Sequence, residues 1–311
     1  MSQEMMNNTA IFENVINVNG VDIAYQLHGN SLQPTLLLIH GLSTPLTGWP
    51  KAMVDAFVAA NFQVLLLDNR DVGRSEQLDY FSIPNMGWVV TKLKLGLSIK
   101  TPYQLEDIMQ DVVALLDALN LAEVHVVGAS MGGMIAQLMA IHHPRRVKTL
   151  TSIMSTTGYK KLPGIDKNIR KTLMQKPVSK DYKDQMDYHI KKWQVIGSPD
   201  YPCTETDLQQ YVESMLQRGM TAKGTIRQML SIMVAGNRED ALSKLDIPSL
   251  VIHGDRDGLV NLAGGKATAQ AIPNAKLKVY PGMGHDFPVE LIPNIVDDIV
   301  AHVNTNLGGR T

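Results

Sequence analysis

A chain of 311 residues and 34.3 kDa exceeds the usual single-domain range and suits one large core carrying an insertion. With 44% hydrophobic residues it has ample material for that core, while a formal charge of −1 argues against nucleic acid or an anionic membrane as a main partner. The single cysteine, Cys203, excludes an internal disulfide and fits a reducing compartment.

Met1 to Ala10 carries neither the basic region nor the apolar stretch of a secretory signal, so a cytoplasmic location is expected. Two strands follow, Phe12 to Val18 and Val21 to Leu27, joined by the hairpin signal Asn19-Gly20. The apolar run Thr35 to Ile39 ends at His40-Gly41-Leu42-Ser43, a glycine turn suited to aim the Leu42 NH at a developing negative charge. Further apolar runs end at Leu67, Val127, Ile153, Ile252 and Tyr280. Together they predict an α/β fold around a mostly parallel sheet of about eight strands.

The run ending at Leu67 leads into Asp68-Asn69-Arg70-Asp71-Val72-Gly73-Arg74-Ser75, in which Asp68 and Arg70 are expected to brace the neighbouring loops by hydrogen bonds. The excursion Gln77 to Pro102 carries Tyr80, Phe81 and Trp88. With Trp49 these aromatics are expected to wall the substrate entrance, although packing against the insertion explains them equally well. Leu105, Ile108, Met109, Val112, Leu115, Leu116 and Leu119 then recur at helical spacing and form a core face.

Gly128-Ala129-Ser130-Met131-Gly132 lies directly behind the apolar run Val124 to Val127 and ahead of a helix-like stretch, Gly133 to His142. A bare G-x-S-x-G is a weak signal, but strand before and helix after make it a nucleophile elbow, in which a strained turn lifts the serine hydroxyl clear of the sheet. The whole apolar-rich stretch Val124 to Ile141 approaches membrane-span length, yet Gly128, Ser130, Gly132, Gly133 and Gln137 interrupt it, so a buried strand and helix explain it better.

From about Ser155 to Ala241 the alternation stops, and the segment is charged, helical in period and punctuated by Pro163, Pro177, Pro199 and Pro202. The expected organisation is a core of residues 1–154 and 242–311, interrupted by a helical insertion of residues 155–241. Between Lys160 and Lys192 stand ten basic and four acidic residues, read as a solvated helix face or as an attractor of anionic substrates.

The last two strand ends carry His253-Gly254-Asp255-Arg256-Asp257-Gly258 and Gly282-Met283-Gly284-His285-Asp286. A serine nucleophile needs a base to take its proton and an acid to orient that base. Of nine histidines, only His285 has a post-strand, glycine-flanked setting. Asp257 lies deeper in its loop than Asp255 and is followed by Gly258, so Asp257 is the expected acid and Asp255 the residue that ties the turn. The NH groups of Leu42 and Met131 complete an oxyanion hole, the latter at the start of its helix.

This order of motifs resembles the α/β-hydrolase superfamily along nearly the whole chain. Gly41 to Pro50, the Asp68 to Ser75 segment and Ser152 to Gly158 are similar to a bacterial group of esterase-like hydrolases related to aclacinomycin methylesterase and often placed near the proline iminopeptidases. The resemblance implies a helical cap over the nucleophile, inserted after the sixth strand, and hydrolysis of a small-molecule ester by Ser130, Asp257 and His285 as a monomer or homodimer. Dehalogenases and epoxide hydrolases of this fold use aspartate where Ser130 stands. Proline iminopeptidases usually place tryptophan where Met131 stands, and their caps are acidic where this one is basic. Carbon–carbon bond hydrolases and perhydrolases share the same three residues, and receptors of this fold keep them without turnover. No cofactor or metal is expected, because no dinucleotide or phosphate-loop signature occupies a strand-to-helix junction.

Overall fold

The computed structural model describes residues 12–306, so the stretch Met1 to Ala10 lies outside the described residues. Eight strands form one sheet in the order β1-β2-β4-β3-β5-β6-β7-β8: β1 Phe12–Val18, β2 Val21–His28, β3 Thr35–Ile39, β4 Gln63–Leu67, β5 Val124–Ala129, β6 Val147–Ile153, β7 Ser249–Gly254 and β8 Lys276–Tyr280. The β1-β2 and β2-β4 pairings are antiparallel and the remaining five are parallel. The β1-β2 hairpin turns at Asn19-Gly20, both at positive φ, as that dipeptide favours.

Strand periodicity builds the core. Successive side chains of a strand point to opposite faces, and in β3 Leu37 and Ile39 join one apolar cluster while Leu36 and Leu38 join another. The same split recurs in β4, where Leu65 and Leu67 oppose Val64 and Leu66. Helices α3 (Leu105–Ala118) and α4 (Met131–His142) cover the first face; α1 (Lys51–Ala59) and α11 (Ile292–Thr305) cover the second. Strands buried on both faces read as unbroken apolar runs, which is why they were legible.

One helix was not anticipated. The Gln77 to Pro102 excursion contains α2 (Met86–Lys94), whose residues are exposed apart from Met86 and Val89 where described. Between β6 and β7 lie α5 (Lys167–Leu173), α6 (Tyr182–Ile196), α7 (Glu205–Gly219) and α8 (Ala222–Val234), with α9 (Glu239–Leu242) spanning the boundary expected at residues 241 and 242. After β7 comes α10 (Leu262–Ala271). Among the described residues no helix is long and apolar enough to cross a membrane.

Candidate active site

The chain runs from β3 outward to β4 and then back across to β5, so the connections leaving β3 and β5 diverge to opposite sides. Such a reversal opens a crevice at the carboxyl ends of the strands. Ser130 follows β5 there, and the His40–Ser43 turn follows β3.

Ser130 has φ 56° and ψ −119°, a conformation that L-residues rarely adopt. Surrounding groups hold it there: its NH donates to the Ile153 carbonyl (2.9 Å) and its carbonyl accepts from Ser155 Oγ (2.8 Å). The flanking glycines are steric necessities. A Cβ on Gly128 would sit 2.2 Å from the Gly132 carbonyl oxygen, and one on Gly132 would sit 2.0 Å from that of Ile39. Gly41 is also closely packed, since a Cβ there would lie 2.9 Å from Ser130 Cβ, so the turn after β3 rests against the nucleophile candidate. Leu42 is half-buried in that turn, and Met131 is the first residue of α4.

The loops after β7 and β8 bring the other two residues to Ser130. His285 Nε2 lies 3.0 Å from Ser130 Oγ and its Nδ1 2.7 Å from Asp257 Oδ2. Asp257 is buried, and its other oxygen accepts from the NH groups of Leu259 (2.9 Å) and Val260 (2.8 Å). Burial works against its charge, but the adjacent His285 and His253 rings outweigh that and hold the carboxyl well below the usual carboxylate range. Asp255 does not join this chain of bonds; its Oδ1 accepts from the Gly282 NH at 2.7 Å and ties the histidine loop to β7.

Several residues that hold these loops escaped the sequence reading. The His40 carbonyl accepts from Asn69 Nδ2 (3.1 Å), and the Ser43 NH donates to Gln228 Oε1 of α8 (2.7 Å). Gln228, fully buried, also donates to the Arg70 carbonyl at 2.7 Å, so one side chain of the insertion ties two core loops together. At the histidine side, the His285 NH donates to the Ile196 carbonyl at the end of α6 (2.8 Å), and the Gly284 NH donates to Ser198 Oγ (2.8 Å). Ser198 in turn donates to Asp286, a carboxyl raised above its ordinary range by burial. No motif marked Gln228 or Ser198, because both lie in a polar, helical stretch where burial is decided by tertiary packing.

Ion pairs seal the same boundary. Arg227 of α8, fully buried, bonds Asp71 through Nε (2.8 Å) and Nη2 (2.6 Å), and Tyr103 Oη adds a third bond to that carboxylate at 2.7 Å. Arg218 of α7 reaches Asp68 (2.8 Å), which also accepts from the NH groups of Leu46 and Arg74. Arg70 pairs with Asp111 (2.6 Å) and so braces α3 against the loop.

The structure puts the two tryptophans read as entrance residues in different surroundings. Trp49 is buried between the rings of His40 (5.0 Å between centroids) and Phe287 (5.2 Å), as a strut beneath the turn after β3. Trp88 stands exposed on α2. The basic residues from Lys160 to Lys191 are exposed, and Lys192 is half-buried over the Tyr188 ring, where burial lowers it to about 8. Among the described residues no group of three His, Cys, Asp or Glu side chains is placed to hold a metal ion.

A sequence profile of the alpha/beta hydrolase fold matches residues 34–290. Rhodomycin D methylesterase DnrP of Streptomyces peucetius is 24% identical over 293 residues, covering 88% of this chain and 92% of that protein. A 2-hydroxy-6-oxononadienedioate/2-hydroxy-6-oxononatrienedioate hydrolase of Burkholderia vietnamiensis is 26% identical over 261 residues, 80% of each. Among solved structures, a hydrolase from Pseudomonas aeruginosa PA01 superposes with a TM-score of 0.68 at 21% identity, over 97% of this chain and all of that one, a likeness of fold.

Proposed function

We propose, from the premise that this chain belongs to the alpha/beta hydrolase fold family, that it is a serine hydrolase cleaving small to medium carboxylic esters through an acyl-enzyme. The observation that carries the reading is the unbroken chain of bonds from Ser130 Oγ through His285 to Asp257 at a strained elbow. His285 Nε2 takes the Ser130 proton as Oγ attacks the ester carbonyl carbon, and Asp257 steadies the imidazolium that forms. The NH groups of Leu42 and Met131 receive the oxyanion. Collapse of the tetrahedral species breaks the carbon–oxygen bond, and His285 hands its proton to the departing alcohol. Water then attacks the acyl-serine with His285 as base again, releasing the acid and restoring Ser130.

The helical insertion acts as the cap, and substrate choice resides in it. Similarity to a methylesterase supports ester chemistry. Similarity to a hydrolase of a dienedioate supports a second reading, carbon–carbon bond cleavage of a dianionic substrate by the same three residues. Three buried arginines favour the first: Arg70, Arg218 and Arg227 are engaged by Asp111, Asp68 and Asp71. A substrate with two carboxylates needs cations not already committed to protein carboxylates.

Nitrophenyl esters of graded chain length, a prolyl arylamide and a dienedioate, assayed side by side, test the assignment. Highest kcat/KM is expected for a short or medium ester. Ser130→Ala should lose roughly a thousandfold or more of it, leaving what binding and the oxyanion donors supply. Full ester turnover by that variant would overturn the mechanism, and a higher kcat/KM for the dienedioate or the prolyl arylamide would move the substrate class.

A further inference from the structure

The excursion that leaves the carboxyl end of β4 carries, among the described residues, a dense run of exposed apolar side chains. Tyr80 is 68% exposed, Trp88 66%, Val90 42%, Leu95 67% and Leu97 54%. A lone exposed leucine needs no explanation, but five such side chains within eighteen residues are a concentration of the kind that marks an interaction surface. The cap leaves it uncovered. Among the described residues, hydrogen bonds from the cap to this excursion reach Gln77 from Thr221 and Asp79 from Arg227, and go no further.

Charge distinguishes this patch from an ordinary dimer face. Between Asp79 and Glu106 the chain has no acidic residue and three lysines, Lys92, Lys94 and Lys100, all exposed. The near-neutral total of −1 therefore conceals a segment that is locally cationic and apolar together. In α2 Trp88, Lys92 and Leu95 follow the i, i+4, i+7 spacing of one helix face, and the Leu95 NH bond to the Thr91 carbonyl (3.1 Å) carries the helical turn to that leucine. An indole beside leucines, with lysines reaching outward, matches the chemistry of a bilayer interface, where the ring sits at headgroup depth and ammonium groups meet lipid phosphates.

We infer that α2 and the turn after it, residues 86–97, are an interfacial anchor that seats the protein on an anionic lipid surface. The binding itself does not depend on the proposed ester chemistry and is read without turnover.

Trp88 supplies the reporter, since Trp49 is buried and Trp193 half-buried. The protein is mixed with vesicles of phosphatidylglycerol or of phosphatidylcholine and followed by flotation and tryptophan emission. Binding to phosphatidylglycerol is expected, with a blue shift of the emission and loss of binding in high salt. A lysine near an anionic surface is worth about fivefold in affinity, so Lys92→Gln with Lys94→Gln should weaken binding at least tenfold. Leu95→Gln with Leu97→Gln should do so as well. Unchanged thermal unfolding of both pairs shows that the fold is intact. Absence of flotation, equal and salt-insensitive binding to both lipids, or a sedimentation dimer dispersed by the leucine pair would each overturn the inference, the last by assigning the face to a second copy of the chain.

Discussion

Replacing Gln228 by methionine keeps the side-chain volume in a fully buried site and removes only its hydrogen bonds. The Ser43 NH and the Arg70 carbonyl, each 2.7 Å from the amide, then lose their partner out of reach of water. An orphaned buried polar group costs about 1–3 kcal/mol, so global stability should fall by a few kcal/mol. The catalytic consequence is separate. Ser43 adjoins Leu42 and sits at φ 57°, a conformation that its bonds to Gln228 and, through Oγ, to Thr225 hold in place. With Leu42 as the proposed oxyanion donor, release of that turn should let its NH drift, and loss of one such donor costs about 100-fold in kcat. Kinetics with a nitrophenyl butyrate should show kcat falling much more than KM, and urea unfolding should show the stability loss in parallel. Gln228→Glu, which keeps the acceptor for the Ser43 NH but loses the donor to Arg70, should recover part of kcat. If Gln228→Met keeps kcat within twofold while stability drops, the cap does not position the turn and the argument fails.

Asp257→Asn should cripple turnover by leaving the wrong imidazole tautomer opposite Ser130, as seen generally for such acids at about a 10⁴-fold cost; Asp255→Asn should cost stability and spare kcat, and an exchange of these phenotypes would make Asp255 the acid. Burial lowers His40 to about 3 and His125 and His189 to about 4, so these rings are neutral in the fold and take up protons on unfolding. A depressed folded value means stability that is complete above the unfolded value of 6.5 and is lost as pH falls toward 4. Urea midpoints should therefore decline steadily from pH 7 to pH 4.5, and a flat profile would contradict the burial of these rings. Gly132→Ala should give little folded protein, because its methyl group would meet the Ile39 carbonyl oxygen at 2.0 Å, and a soluble variant with unchanged Tm would disprove the close approach of α4 to β3.

What could be read from the sequence follows a physical boundary. The central parallel strands β3, β4, β5 and β7 were legible because burial on both faces leaves runs such as Leu36-Leu37-Leu38-Ile39, and their ends because glycine and polar residues cluster where the backbone turns. Ser130, Asp257 and His285 drew attention through local context, each just past a strand and beside glycine. Helix α2 was missed because its described residues apart from Met86 and Val89 are exposed, so no buried stripe imposes a period. Gln228, Ser198 and the Ile196 carbonyl were invisible for a different reason. Their partners lie in core loops far away in sequence, and one of the three is a backbone group that no residue type announces.

The bonds across the cap–core boundary also bear on how such enzymes diversify. A cap that only roofed the pocket would be a portable part, exchangeable between relatives to transplant specificity. This one supplies the acceptor for the His285 amide from α6 and the amide that spans Ser43 and Arg70 from α8. A donor cap would have to bring equivalents of Ile196, Ser198, Arg227 and Gln228 at matching positions before its pocket mattered. With substrate choice residing in the cap as proposed, side chains between those anchors are the freest to change it, and a chimera that ignores the anchors would lose rate before it gained a new substrate.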